Sequence, residues 1–209
     1  SNSFRNDYYS HRAQIGFKQV TANYTYDIGV AAVPSSSQSI DLINSERNIP
    51  KRTVFNVAPY LRYRYKMGKQ SSLRIDYRGY SSQPSMNQLQ PVEDRSDPLR
   101  IVVGNPELKP SFQNRFRTRF NDYDEKTQRA IMAMIDGGFT TNSIISETTY
   151  DSKTGGQRTT YRNVNGVWNA AGMLMYSTPF RNKHWQLNSF SRISYSLSLI
   201  HISEPTRPY

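Results

Sequence analysis

Between Phe55 and Tyr80, apolar and polar side chains alternate with a period of two, broken once by a short glycine-containing turn. Phe55, Val57, Pro59, Leu61, Tyr63, Tyr65 and Met67 hold one parity. Asn56, Arg62, Arg64 and Lys66 hold the other, with Ala58 and Tyr60 as exceptions. After Gly68-Lys69-Gln70 the alternation resumes, with Leu73, Ile75 and Tyr77 set against Arg74, Asp76 and Arg78. Successive side chains of a strand point to opposite faces, so the segment reads as a β-hairpin with one apolar and one wet face. Each arm has roughly ten residues or more, and a tilted strand needs about 9–11 to cross the hydrocarbon of a bilayer.

The same reading along the rest of the chain gives about eight strands. Residues 12–20 form the first, and Tyr24, Tyr26, Ile28, Val30 and Ala32 share one parity on the second. Residues 34–52 read as a long serine-rich loop, and the proline-rich 81–111 as a second loop without regular elements. Residues 112–121 place Phe112, Phe116 and Phe120 against Arg115, Arg117 and Arg119. Residues 129–150 read as one long strand with a bulge at Gly137-Gly138. Residues 157–178 return, with Asn165-Gly166 either a bulge or the turn of a ninth strand. Residues 185–195 are the last strand.

The long connections (34–52, 81–111 and the 151–156 tip) fall at one end, and the short ones (21–23, 68–71, 121–128 and 180–184) at the other. This segregation is the pattern of an outer-membrane barrel and not of a soluble sandwich. The expected fold is therefore all-β, an antiparallel transmembrane β-barrel segment of about eight strands that leaves an open, curved sheet in isolation.

Composition changes this picture little. Hydrophobic residues make up 36% and the mean hydropathy is −0.74. The longest apolar runs, 28–33 and 130–135, fall far short of the ~20 residues of a helical span. A barrel needs apolar side chains only at alternate positions, so low hydropathy and membrane residence are compatible. The 15 Tyr, 9 Phe and 2 Trp argue against disorder. They suit the aromatic girdles of lipid-facing strands.

A net charge of +11 would fit a nucleic-acid surface. However, Arg62, Arg64, Arg74, Arg78, Arg115, Arg117 and Arg119 all sit on the non-apolar parity of their strands, spread as a face. They are expected to line a water-filled lumen, with Asp76 neutralising part of it, and no nucleic-acid partner is expected.

Catalytic chemistry finds no support. The chain has no cysteine, and His11, His184 and His201 are too far apart for a metal-ligand spacing. It has neither a G-x-S-x-G elbow nor a phosphate-binding glycine loop. Asp124-Glu125 falls in an expected turn. The chain is expected not to be an enzyme and to use no catalytic residue, metal or cofactor. Its first residues lack a starting Met and an apolar h-region, so it is expected to begin inside a longer protein.

Three segments carry a family resemblance. Gln83-Pro84-Ser85-Met86-Asn87-Gln88-Leu89-Gln90-Pro91 is followed by Asp97-Pro98-Leu99, then by Gly104-Asn105-Pro106-Glu107-Leu108-Lys109-Pro110. Together they resemble the barrel of TonB-dependent outer-membrane receptors, of the Bacteroidetes-type outer membrane protein beta-barrel family. Pro84, Gln88, Leu89, Gly104, Asn105, Pro106, Leu108, Lys109 and Pro110 match the family's extracellular-loop motif, while Ser82-Gln83 replaces its usual basic residue. The resemblance covers about residues 12–195.

It implies a barrel of roughly 22 strands, a plug domain, a segment that meets TonB, and uptake or binding of a ligand across the outer membrane. The ligand itself is not identified. A non-transporting structural or adhesive barrel is the first alternative, and a soluble basic β-domain binding polysaccharide or nucleic acid the second. Residues 1–196 are thus expected to be a partial barrel. Leu197 to Arg207 resembles an in-frame translation of a transposase adapter used in sequencing libraries, which makes 197–209 an expected artefactual tail.

Overall fold

The computed structural model describes residues 4–41, 49–91, 93–97, 99–152, 155–180 and 184–197. A nine-stranded antiparallel sheet dominates it. β1 (Phe4–Ser10) and β2 (Ala13–Val20) lie end to end along β3 (Tyr24–Asp41), which pairs with both. β4 (Ile49–Lys66), β5 (Ser71–Ser82), β8 (Ser111–Asp124), β9 (Arg129–Thr141), β12 (Val167–Pro179) and β13 (Gln186–Leu197) follow in order across the sheet. Among the described residues no ladder joins β13 to β1 or β2, so the sheet is open, as expected.

A second sheet has four strands in the order β10 (Ser143–Tyr150), β11 (Gln157–Val164), β7 (Arg100–Val103) and β6 (Glu93–Asp97). One turn of helix, α1 (Met86–Leu89), precedes it in the chain.

Short turns join β2 to β3, β4 to β5, β8 to β9 and β12 to β13, all at one end. The second sheet lies in the long connections at the other end. The expected loop at 34–52 is mostly strand: Ser35, Ser36 and Ser37 pair with both β1 and β4, leaving only 42–48 outside the described residues. The expected loop at 81–111 contains α1, β6 and β7. Its prolines do not prevent this, because Pro84, Pro91, Pro106 and Pro110 all fall outside those elements.

The expected bulge at Gly137-Gly138 is also corrected. Both glycines sit in continuous ladders with β8 and β12. The chain instead breaks at Asn142, whose φ of 50° is in the left-handed region. It returns to the main sheet at Asn165-Gly166, where Gly166 has φ 90°. That dipeptide is a joint between two sheets and not a hairpin turn.

The 55–80 hairpin has the register its alternation implies. Arg62 opposes Asp76, Lys66 opposes Ser72, and the Met67 amide donates to the Ser71 carbonyl at 2.9 Å. The β4–β5 ladder stops at the Tyr60–Arg78 pair. The next residue of β4 facing β5 is Pro59, which has no N–H to give. Beyond it the Val57 amide donates to the Ser81 hydroxyl instead, and Asn56 Oδ1 accepts from Ser81 Oγ and Gln83 Nε2.

Tyr60, an exception to the alternation, has a packing reason. Its row is Gly16–Gly29–Tyr60, and its hydroxyl lies 2.7 Å from where a Gly29 Cβ would stand. The ring covers two glycines, and Gln14 Nε2 donates to its oxygen at 3.1 Å.

Burial is scarce. Among the described residues the buried apolar side chains are Ala31, Leu108 and Pro84. The apolar face of the main sheet is uncovered, with Ile15, Phe17, Ile135 and Ile193 each more than 60% exposed. Rings cluster on that face, in the direct cross-strand pairs Tyr24–Tyr65 and Tyr26–Tyr63 and in the contacts Tyr77–Phe116 and Trp168–Tyr195.

Candidate functional site

The opposite face of the main sheet carries the charge. Arg62, Arg64, Arg74, Asp76, Arg78, Arg115, Arg117 and Arg119 all share it, because cross-strand partners always lie on the same side. One register row runs Lys18–Asp27–Arg62–Asp76–Arg117–Asp136 across β2, β3, β4, β5, β8 and β9, alternating in sign at every step. Arg117 Nε reaches Asp136 Oδ1 at 2.6 Å. Asp76 therefore stands between two arginines. Asp27 and Asp136, which complete the row, escaped the sequence reading. Their signal was available, since each interrupts an otherwise apolar stretch at the polar parity of its strand.

The flanking rows are not balanced. On one side Arg64, Arg74 and Arg119 stand directly opposite one another on β4, β5 and β8. Like charges in direct opposition destabilise a sheet. The Nε of Arg119 is buried without a hydrogen-bond partner. On the other side Arg78 opposes Arg115. The Arg115 guanidinium lies 5.7 Å from the Tyr80 ring centroid and that of Arg62 lies 5.8 Å from that of Tyr60, within cation–π range.

A polar concavity of about 340 Å³ opens on this face near the break above Pro59, lined by Tyr8, Ser35, Ser37, Arg52, Asn56 and Ser82 among others. At the short-turn end, a mainly apolar concavity of about 460 Å³ includes Met132, Met175 and Phe190.

The two motif segments meet in space. Pro84 and Gly104 are buried, and Gln88 and Leu89 are half-buried in α1. The Ser85 amide donates to the Gln88 side chain at 2.9 Å, closing the start of the helical turn. The Asn105 amide donates to the Gln88 carbonyl at 2.7 Å. A Cβ on Gly104 would lie 2.7 Å from the Gln90 nitrogen, so only glycine allows this approach.

Asn105 also donates through Nδ2 to the Tyr161 carbonyl and accepts the Glu107 amide, which turns the chain at Pro106. Leu108 is buried, and the Lys109 amide donates to Asn163 Oδ1 at 2.8 Å before Pro110 leads into β8. Asn163 Nδ2 returns bonds to the carbonyls of Lys109 and Asn142, and the Asn142 amide donates to Asn165 Oδ1. The motif thus fastens α1, β8 and β11 together at the point where the second sheet leaves the first. Asn142 and Asn163 were not singled out from sequence, and Asn165 only as part of a turn dipeptide, because their partners lie far away along the chain.

A family model described as the outer membrane protein beta-barrel family matches residues 2–204. Among solved structures, the siderophore receptor PirA from Pseudomonas aeruginosa superposes with a TM-score of 0.52 at 12% sequence identity. The match covers 93% of this chain and 44% of that one, so the chain spans less than half that receptor's length. A likeness at this identity concerns the fold. No curated protein matches the chain.

Proposed function

Because this chain belongs to the outer membrane protein beta-barrel family, we propose that it builds part of the barrel of a TonB-dependent receptor that binds or imports a ligand, without enzymatic activity. Its place is the outer membrane. The apolar face meets lipid and the arginine-bearing face looks into the lumen. The motif of Pro84, Gln88, Leu89, Gly104, Asn105, Pro106, Leu108, Lys109 and Pro110 braces the extracellular loops. A plug domain and TonB are the partners this reading implies. The tail from residue 197 is read as adapter-derived; Leu197 still pairs with Trp168 in β13, and 198–209 lie outside the described residues. Resequencing the native locus across this junction tests that origin.

The uncovered apolar face carries this reading. Ile15 is 75% exposed and Ile193 76%, on a sheet with almost no core. Water does not tolerate so continuous an apolar surface, whereas lipid does. The strands are long enough, since β4 has 18 residues and β9 and β12 have 13 each.

The chain has no native cysteine, so single cysteines report cleanly. In the complete protein in outer-membrane vesicles, Ile75→Cys should resist a membrane-impermeant maleimide and be quenched by lipid-borne quenchers. Asp76→Cys should show the reverse. The same pattern at both sites would refute the membrane assignment. Ligand uptake that persists without TonB would refute the receptor assignment and leave a structural barrel.

A further inference from the structure

Past the Tyr60–Arg78 pair, on the side of the long connections, the arginine-bearing face changes character. Tyr8 opposes Ser37, Ser37 opposes Arg52, Ser35 opposes Val54 and Val33 opposes Asn56. Parity along β4 puts Arg52, Val54 and Asn56 on the side of Arg62, and their partners with them. The polar concavity of about 340 Å³ lies here, and the chain from Ser81 to Met86 also lines it. Ser35, Ser37, Ser81, Ser82 and Ser85 bring hydroxyls, and Asn56 and Gln83 bring amides. Among the described lining residues Arg52 alone is charged. A ligand with several negative charges would meet a single guanidinium, and an apolar one would leave these groups without partners. Hydroxyls and amides both donate and accept, so a ligand that does the same at neighbouring atoms satisfies them.

The break at Pro59 arranges two of the amides. Where β5 no longer pairs with β4, Ser81 Oγ takes the Val57 amide and donates to Asn56 Oδ1 at 3.1 Å. Gln83 Nε2 donates to the same oxygen at 2.9 Å, which fills both of its lone pairs. Among the described residues the groups left over are Asn56 Nδ2, a donor, and Gln83 Oε1, an acceptor. The bond between the two side chains holds them in a fixed relation. One donor beside one acceptor matches two adjacent hydroxyls, the first accepting and the second donating. Tyr8, 70% exposed, adds an aromatic face on which the apolar side of a ring can lie. The volume is at the small end of the ~300–1,000 Å³ range of ligand pockets, so it takes one unit of a larger molecule.

We propose that this concavity binds a sugar ring through a vicinal diol, stacked on Tyr8, so that the ligand of the receptor is a saccharide. The inference rests on the receptor reading above and names its substrate class. One hydroxyl accepts from Asn56 Nδ2, its neighbour donates to Gln83 Oε1, and the C–H face of the ring covers Tyr8. Arg52 and Ser37, which share a row, are the next donors along the concavity.

The test presents the complete protein, folded in detergent, to a panel of immobilised neutral oligosaccharides, with citrate and inorganic phosphate as soluble competitors. At least one oligosaccharide should retain the protein, and neither anion should displace it. Asn56→Asp keeps an oxygen for Ser81 and Gln83 but puts an acceptor where the donor stood, and should weaken retention roughly tenfold or more. Tyr8→Ala should weaken it too, while Tyr8→Phe binds like the wild type. The heat-dependent mobility shift of each variant reports that its barrel is folded, and exposed Tyr8 keeps the test decisive where Asn56→Asp fails to fold. Retention by no oligosaccharide, displacement by citrate or phosphate, or wild-type retention by folded Asn56→Asp or Tyr8→Ala overturns the proposal. TonB-dependent uptake of a ligand that is not a sugar, with no oligosaccharide retained, removes the sugar site and leaves the receptor reading. Retention of an oligosaccharide whose uptake proceeds without TonB removes the receptor reading and leaves the site.

Discussion

Arg74 and Ile75 are neighbours on β5 that face opposite ways, and exchanging their character separates the two faces energetically. Arg74 stands between Arg64 and Arg119, and Ile75 between Tyr63 and Thr118. Ile75→Arg puts a charge near the middle of a twelve-residue strand on the apolar face. At a lipid midplane that costs about 2–4 kcal/mol, which raises the unfolding constant roughly 30- to 700-fold at about 1.4 kcal/mol per tenfold. Arg74→Leu instead removes two like-charge oppositions, each worth about 0.2–1 kcal/mol. Solvent screening of the exposed Arg64 and Arg74 reduces that gain, so stability should equal or slightly exceed that of the wild type. The assay is a urea titration of the complete protein folded into liposomes, read by the heat-dependent mobility shift of the folded barrel. Equal loss from both changes, or tolerance of Ile75→Arg, would show that the alternation does not mark lipid and water.

Gly104→Ala forces the Gln90 backbone away and should destabilise the motif by about 1–3 kcal/mol; faster limited proteolysis within 83–110, with the barrel shift intact, is the expected readout. Asn163→Ala removes the partner of the Lys109 amide and two carbonyl contacts at about 0.5–1.5 kcal/mol each. Hydrogen exchange should accelerate at Lys109 while β8 stays protected, and unchanged exchange at Lys109 would disprove its bracing role. Tyr60→Ser uncovers Gly16 and Gly29 and strips Gln14 of its acceptor. The urea midpoint should fall further than for Tyr65→Ser, whose side chain lies on the apolar face.

The central hairpin was legible because two constraints agree there: unbroken alternation fixes which side chains share a face, and a short turn fixes the register. The shared side of all seven named arginines follows from parity alone. Strand β3 beyond Val33 was not legible, because Ser35, Ser36 and Ser37 offer no apolar parity to follow. Residues 93–97 and 100–103 become strands by pairing with one another and with β11, 57 residues onward from Arg100 to Gln157, while the prolines around them argue locally for a loop. The glycine pair at 137–138 was the strongest local signal for a bend. The bend fell at Asn142 because its amide donates to the side chain of the distant Asn165, which holds it there. Balance along the Asp27–Asp136 row appears only once five strands are in register, so reading one strand at a time hides it.

The asparagine knot at 142, 163 and 165 has a consequence for how such a protein changes its outer surface. β9 and β12 are already hydrogen-bonded neighbours, with Thr140 opposite Val167 at the last rung before the chain departs. The excursion through β10 and β11 leaves and re-enters within one amide contact. Its two ends are as close as those of a tight turn, so its length is decoupled from the register of the strands beneath it. Lengthening or exchanging such a closed excursion adds only the slowly growing entropy of a longer loop, about 0.6 kcal/mol per doubling. The rungs below Thr140 need no rearrangement. An insertion of foreign sequence between Ser143 and Val164 is thus a graft onto a fixed stem, and the sequence at this end can diversify while the pairing that assembles the sheet stays the same.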